Sequence, residues 1–158
     1  MGNTENPLLG TWHLVKWDIA YGDGRPVSLP FGANPKGLIC YTHDGTMSAC
    51  IASANRPHLT SESVRSAPVA ERLAAFETFF QYAGHYHLRM NDGQQQVVHS
   101  VTHALNPNFV GSQQVRNVAF SEDGRLTLSA SDTVPGTSVA RHHRLVWQRS
   151  DANIAIHP

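Results

Sequence analysis

The sequence predicts an all-β protein, an antiparallel barrel of eight strands with one amphipathic helix inserted between the third and fourth strands. Short segments that alternate apolar and polar residues recur along the chain and are separated by turn residues such as Asp44-Gly45. One segment, residues 66–81, instead has apolar residues at helical spacing. Because strand-helix-strand alternation is absent, we expect hairpin-linked antiparallel strands. Eight of them are enough to close a barrel around one small ligand.

The elements follow in order from these local patterns. Strands are expected at residues 10–20, 37–42, 46–52, 85–90, 95–104, 113–121, 125–131 and 138–149. Ser66 and Pro68 mark the start of the helix. Its aromatic face, which includes Phe76 and Phe80, either packs in the core or covers one barrel mouth as a lid, and the two roles are compatible. We therefore expect both phenylalanines to contact a bound ligand.

The second and third strands form a hairpin around Asp44-Gly45. A two-residue loop at this turn would pair Thr42 with Met47. The thiols of Cys40 and Cys50 would then face opposite sides of the sheet, so no disulfide is expected between them. Met47, on the third strand, is a further candidate ligand contact.

Composition limits the class of protein and of partner. A length of 158 residues, with 41% apolar and 15% charged residues, fits one domain over residues 1–158, with a core at 8–149 and short flexible termini. Lys and Arg together number 12, as do Asp and Glu, and no basic cluster occurs, which argues against a nucleic acid or an anionic membrane as partner. No membrane-length apolar run and no leader pattern are present, so we expect a cytoplasmic protein.

Four segments, in order along residues 8–149, carry a resemblance to a known family. They are Leu9-Gly10-Thr11-Trp12, residues 37–49 around Asp44-Gly45, residues 106–116 with Asn106-Pro107-Asn108-Phe109, and the final Leu145-Val146-Trp147-Gln148-Arg149. Together they resemble the bacterial and fungal lipocalin-like domain family. The resemblance implies a barrel with a cavity for a small, largely apolar molecule, closed at its floor by Trp12 with Arg149 stacked on it. It implies no shared catalytic residues, although some related proteins in natural-product pathways are cofactor-free cyclases.

Lys16 and Asp18 are candidate polar groups on the first strand. If Trp12 faces inward, strand alternation places Leu14, Lys16 and Asp18 inward and Trp17 outward. A buried lysine and aspartate would tune each other's pKa for proton transfer and could bind a ligand. In the alternative, the strand reaches the barrel rim by Lys16 and both charges meet water.

Histidine is unusually frequent, with ten residues in the chain, and two of these are candidate acid-base groups. His99 and His103 share one face of the fifth strand with Val97 and Val101, a face that alternation turns inward. Histidine suits proton transfer near neutral pH, whereas a buried histidine with a purely structural hydrogen bond is the alternative. Four residues of strand span roughly 13 Å, so the pair cannot share one metal ion.

The sixth strand carries Gln114 and Arg116 on one face. If this face is inward, Arg116 can orient a carbonyl, enol or carboxylate of a ligand and Gln114 can assist it. An arginine on the outer face or at the rim is the alternative.

Tyr86 and His143 complete the candidate set. Tyr86 lies on the fourth strand opposite a face with two histidines and an arginine, which we expect to meet solvent, so Tyr86 should line the cavity. His143 alternates with Leu145 and Trp147 and is expected to face inward. No third ligand accompanies the paired histidines at a telling spacing, and nucleotide-binding and zinc-protease motifs are absent, so neither a metal nor a cofactor is expected.

These observations predict that the protein binds a small hydrophobic polyketide, terpenoid or aromatic metabolite and catalyses its cofactor-free cyclisation or isomerisation. His99 or His103 would transfer the proton, while Arg116 and Tyr86 would bind a substrate oxygen. Two alternatives are a non-catalytic carrier of the same ligand and a partner-binding module without a ligand. A homodimer is left open.

Overall fold

The strands form a closed antiparallel barrel in the order β1 to β8, with β8 pairing back to β1, which confirms the predicted fold class. The computed structural model describes residues 5–150. Its strands are β1 (Gly10–Tyr21), β2 (Lys36–Tyr41), β3 (Thr46–Ala52), β4 (Phe79–Asn91), β5 (Gln94–Ala104), β6 (Gln113–Phe120), β7 (Leu126–Thr133) and β8 (Ala140–Arg149). The expectation of flexible termini falls mainly on residues 1–4 and 151–158, outside the described residues.

One end of the barrel is closed by Trp12. The indole N–H of Trp12 donates to the carbonyl of Leu8 at 2.9 Å, and both residues are almost fully buried. The guanidinium of Arg149 lies 4.2 Å from the centre of the Trp12 ring and donates to the carbonyls of Pro7 and Leu9. The structure thus gives Trp12 and Arg149 the floor positions that the family resemblance implies.

The helix, α1, is shorter than predicted and spans Val69–Glu77. The chain enters β4 at Phe79, where Phe79 and Phe80 pair with Ala52 and Ile51 of β3. The prediction of a helix to residue 81 is wrong because the open edge of β3 offers backbone hydrogen bonds to residues whose aromatic side chains suit a sheet. Within the described part of the chain, no helix combines the length and hydropathy needed to cross a membrane.

The β2–β3 hairpin has a different register from the predicted one. Tyr41 pairs with Met47 and Cys40 with Ser48, so five residues separate the last pair, one more than in the predicted pairing of Thr42 with Met47. The Thr42 hydroxyl accepts from the backbone N–H of Thr46 at 3.1 Å, which stabilises this wider loop. Cys40 and Cys50 consequently lie on the same outer face, contrary to the prediction, and both thiols are free.

Two bulges reverse the side-chain alternation of their strands. On β1, Leu14 pairs with Trp147 but Lys16 pairs with Val146, which leaves Val15 as an extra residue. On β5, Val101 pairs with Gly84 but His103 pairs with Ala83, which leaves Thr102 as an extra residue. Beyond each bulge, residues that simple alternation turns inward lie on the outside of the barrel.

Candidate functional site

A cavity of about 330 Å³ lies inside the barrel toward the end where β1 stops and β8 begins. This volume is within the range of pockets for small molecules. Most of its wall is apolar or aromatic, formed by Trp17, Ile39, Ala49, Ile51, Phe80, Phe109, Leu128, Ala130, Leu145 and Trp147. The polar wall residues are Tyr82, His99, Gln114, Arg116, Ser131, Asp132, Arg141 and His143. The cavity therefore fits a hydrophobic molecule with a small number of polar atoms.

His99 is held between two tyrosines on the inner face of the barrel. Its Nε2 lies 2.8 Å from the hydroxyl of Tyr41, and its Nδ1 lies 2.6 Å from the hydroxyl of Tyr82. Only 1% of His99 is exposed, and both tyrosines are buried as well. Both ring nitrogens of the imidazole are thus already engaged by the protein.

Burial keeps these three groups uncharged. Desolvation, together with the positive charge of Arg116, lowers the pKa of His99 to about 3, so its imidazole is neutral at pH 7. Desolvation also raises the pKa of Tyr41 and of Tyr82 above the usual range. The chain Tyr41–His99–Tyr82 is therefore a neutral hydrogen-bonded network.

Arg116 brings a positive charge to the cavity wall. One guanidinium nitrogen donates to the carbonyl of Val115 at 2.9 Å and another to the side-chain carbonyl of Gln114 at 3.4 Å. Among residues 5–150 no carboxylate lies within ion-pair distance of Arg116. The expectation that Arg116 and Gln114 face inward is met, because β6 pairs with β5 without a bulge.

A cluster of three polar side chains lies where β7 and β8 border the cavity. Arg141 donates to both carboxylate oxygens of Asp132, at 2.8 and 2.6 Å, and Nε2 of His143 lies 3.4 Å from the same carboxylate. Desolvation lowers the pKa of His143 more than the Asp132 charge raises it, so the imidazole is neutral near pH 7. His143 lies inside, as predicted, since it pairs with the buried Ile19 of β1.

Three predicted site residues lie outside the barrel because of the bulges. His103 is exposed, and its Nδ1 lies 2.8 Å from the hydroxyl of the neighbouring Thr102. Lys16 and Asp18 also lie on the outer face, where their side chains form an ion pair at 3.2 Å and Arg144 approaches Asp18 at 3.0 Å. Asp18 is 5% exposed but does not line the cavity. The expectation that these three residues face the cavity is wrong.

Three further predicted residues lie inside or beside the barrel but do not line the cavity. Tyr86 faces the closed end, where its hydroxyl donates to the carbonyl of Thr42 at 2.7 Å and accepts from Asn6 at 2.9 Å. Met47 is 1% exposed within the packed core. Phe76 is 47% exposed on α1, whereas Phe80 reaches the cavity from β4.

The sequence interpretation missed Tyr41, Tyr82 and Trp17. Tyr41 was hidden by the wrong hairpin register, although it alternates with the apolar Ile39. Tyr82 was hidden because the helix was extended to residue 81, and Trp17 because the β1 bulge turns it inward. The sequence does contain a signal for the bulge on β5. Gly84 lies inside a strand pattern, and a glycine in that position is typical of a bulge or a close backbone approach.

The family comparison agrees with the barrel and its cavity. A family model described as a lipocalin-like domain matches residues 9–150, nearly the whole chain. Comparison with curated proteins gives no match. A lipocalin-like barrel with an internal, largely apolar cavity is a fold for binding small hydrophobic molecules. The chain belongs to the lipocalin-like domain family.

Proposed function

We propose that this protein binds a small hydrophobic metabolite with a carbonyl, enol or carboxylate oxygen, and that it catalyses cofactor-free cyclisation or isomerisation of that metabolite in the cytoplasm. A polyketide, a terpenoid or an oxygenated aromatic compound fits this description. The observation that carries the proposal is the guanidinium of Arg116, which has no carboxylate partner among residues 5–150 and lies on the wall of a largely apolar cavity of about 330 Å³.

The charge of Arg116 points to an oxygen on the ligand. A cation beside apolar surface is costly unless an opposite charge or good hydrogen-bond acceptors compensate it. Arg116 has only two carbonyl acceptors among the described residues, Val115 and Gln114, one of them at the long distance of 3.4 Å. A ligand oxygen would complete its hydrogen bonding, with the remaining apolar wall holding the carbon skeleton.

The cavity also has groups suited to moving a proton on such a ligand. Enolisation of a ketone needs a base for the α-proton and donors that stabilise the oxyanion. In this proposal Arg116 would stabilise the oxyanion. His143 is the better base, because His99 has both ring nitrogens bound by tyrosines while His143 makes only the 3.4 Å contact to Asp132 among the described residues. The Asp132 carboxylate would stabilise the imidazolium that forms.

A non-catalytic carrier is the second candidate function. The observation that favours it is that Tyr41 and Tyr82 occupy both ring nitrogens of His99, the most deeply buried of the described histidines. His99 can therefore orient a ligand through Tyr82 but cannot itself take a proton from it. Arg116 and Gln114 would then only fix the ligand's orientation.

Binding is tested with two naphthalenes of similar size, naphthoate and ethylnaphthalene, by titration calorimetry. Arg116→Gln should weaken naphthoate binding by about tenfold to a hundredfold, because a charge-assisted hydrogen bond is lost, and should leave ethylnaphthalene binding unchanged. Arg89→Gln is the matched control, since Arg89 lies on the outer face of β4 and bonds Gln96. An equal effect of Arg116→Gln on both probes, or none on either, would contradict the binding proposal.

Catalysis is tested with methyl naphthyl ketone in heavy water. If the protein enolises the bound ketone, the methyl protons exchange for deuterium faster than in buffer, as NMR would show. The α-proton passes to His143, the oxyanion is held by Arg116, and deuterium returns from the exchanged imidazolium to carbon. His143→Gln should remove the acceleration without preventing binding. Tight binding with no acceleration in the wild-type protein would favour the carrier.

A further inference from the structure

The network Tyr41–His99–Tyr82 has a direction that decides which ligand atoms the cavity accepts. A neutral imidazole has one N–H donor and one nitrogen lone pair, so it donates to one tyrosine and accepts from the other. Each tyrosine hydroxyl makes its hydrogen bond to His99 and to no other described residue. Whichever direction holds, one tyrosine keeps a hydroxyl proton that no group in residues 5–150 accepts.

The surroundings of the two tyrosines differ. Tyr41 is 2% exposed, belongs to the core cluster and does not line the cavity. Tyr82 lines the cavity beside His99, with its ring packed against Phe80 and Phe109. A hydroxyl proton without an acceptor is destabilising in the core, whereas beside a cavity water or a ligand can accept it.

We infer that His99 carries its proton on Nδ1, that Tyr41 donates to Nε2, and that the hydroxyl proton of Tyr82 is offered to the ligand. This arrangement places the spare donor on the cavity wall and leaves the core without an unpaired proton. The opposite direction would commit the Tyr82 proton to His99 and leave the spare proton on Tyr41 in the core.

The other polar groups of this wall strengthen the same preference. Arg116 is a donor only, and its positive charge favours an electron-rich oxygen. The side-chain carbonyl of Gln114 faces Arg116 at 3.4 Å, and its amide nitrogen donates to the Ser112 hydroxyl at 2.9 Å. With Tyr82 and Arg116 both donating, this wall takes a hydrogen-bond acceptor, namely the oxygen of a ketone, an enolate or a carboxylate.

This inference deepens the proposed function by naming the ligand's functional group and the residue that recognises it. Tyr82 would touch the substrate oxygen directly. His99 and Tyr41 would be positioning residues, because they act through Tyr82.

The tautomer is tested first and without any ligand. In protein whose histidine rings are nitrogen-labelled, NMR should show a protonated Nδ1 and an unprotonated Nε2 for His99. The His99→Gln spectrum identifies the signals by their disappearance. A proton on Nε2 would overturn the inference.

The functional-group preference is tested by calorimetry with methyl naphthyl ketone and ethylnaphthalene. Tyr82→Phe should weaken ketone binding by about fivefold and leave ethylnaphthalene unchanged, because a neutral hydrogen bond is lost but the ring remains. Tyr86→Phe is the matched control, since its hydroxyl bonds Thr42 and Asn6 away from the cavity. Unchanged ketone binding in Tyr82→Phe would overturn the inference. If neither probe binds the wild-type protein, the proposed function fails, while the tautomer measurement still decides the inference.

Discussion

The most unusual single residue among those described is a histidine that stays neutral in the folded protein until the pH approaches about 3. His99 is 1% exposed and bonded on both ring nitrogens, and burial lowers its pKa to about 3. In the unfolded chain the same side chain titrates near its ordinary value of 6.5. The free energy of unfolding therefore depends on pH, because between these two pKa values only the unfolded chain binds the proton.

Stability should therefore fall as the pH drops below about 6.5 and continue to fall toward pH 3. Because the folded pKa is lowered, the unfolded state gains a proton that the folded state lacks, at about 1.4 kcal/mol per pH unit. In His99→Gln the slope of unfolding free energy against pH should be smaller by about this amount between roughly pH 4.5 and 5.5, by urea denaturation.

A destabilised variant that keeps His99 provides the control. Val98, the residue before His99, is also buried. Val98→Ala should lower stability but keep the wild-type slope of unfolding free energy against pH. The same slope in His99→Gln and the wild-type protein would mean that His99 titrates alike in the folded and unfolded chains.

At this scale the sequence predicted His99, His143, Gln114, Arg116 and Phe80 as cavity residues, and all five line the cavity. Gln114 and Arg116 lie on β6, which pairs with β5 without a register shift, so simple alternation holds there. Phe80 was found for the wrong reason, since it lies on a strand and not on the helix. The partners of His99 were not found, because Tyr41 lies on the distant β2 and the predicted helix covers the start of β4, the strand that carries Tyr82.

At the scale of elements, two bulges separate the predicted site from the observed one. Each inserts one residue, and one residue is enough to move every later side chain to the other face of the sheet. The β1 bulge at Val15 exchanges Lys16 for Trp17 on the inner face, and the β5 bulge at Thr102 moves His103 outside. Alternation along one strand cannot reveal a bulge, because the extra residue is defined by the pairing with its neighbour.

Gly84 shows how closely the strands approach at the second bulge. A Cβ atom on Gly84 would lie 2.0 Å from the carbonyl oxygen of Ser100 and 3.0 Å from the backbone nitrogen of Thr102. Because both contacts are with backbone, no side-chain rotation can relieve them. The glycine is therefore required by the bulge.

We expect Gly84→Ala to destabilise the protein by about 2 to 4 kcal/mol, because the strands must separate where β4 and β5 pair. Thermal unfolding of the variant and the wild-type protein measures this. Gly93→Asn is the control: Gly93 has a positive φ of 79° in an open turn, where an added Cβ would meet no atom within 4 Å apart from its chain neighbours. Asparagine tolerates that conformation, so a change below about 1 kcal/mol is expected. A Gly84→Ala protein as stable as the control would show that the strands do not meet this closely.

At the scale of the whole molecule, the two ends of the barrel have different tasks. The closed end contains Trp12, its hydrogen bond to Leu8 and the stacked Arg149. The cavity lies toward the other end, with Arg116 and His143 on its wall. Neither Trp12 nor Arg149 lines this cavity, so contributions to stability and to ligand binding should be separable by mutation.

Arg149→Met makes this separation measurable. The variant loses the stacking on Trp12 and the hydrogen bonds to Pro7 and Leu9 that tie the incoming chain to the barrel floor. We expect a loss of about 2 kcal/mol, which for a protein of this size lowers Tm by about 6 °C. Naphthoate affinity, measured well below Tm, should equal that of the wild-type protein because Arg116 and the cavity wall are unchanged.

Arg125→Met is the matched control for the loss of an arginine near the same end. Arg125 makes only surface contacts, at 3.2 Å to Gln148 and 3.7 Å to Asp123. Its replacement should change stability by less than about 0.5 kcal/mol. A weaker naphthoate affinity in Arg149→Met would show that the floor and the cavity are coupled through the strands. An unchanged Tm would show that the floor contacts of Arg149 do not stabilise the barrel, and either result would contradict the division of tasks.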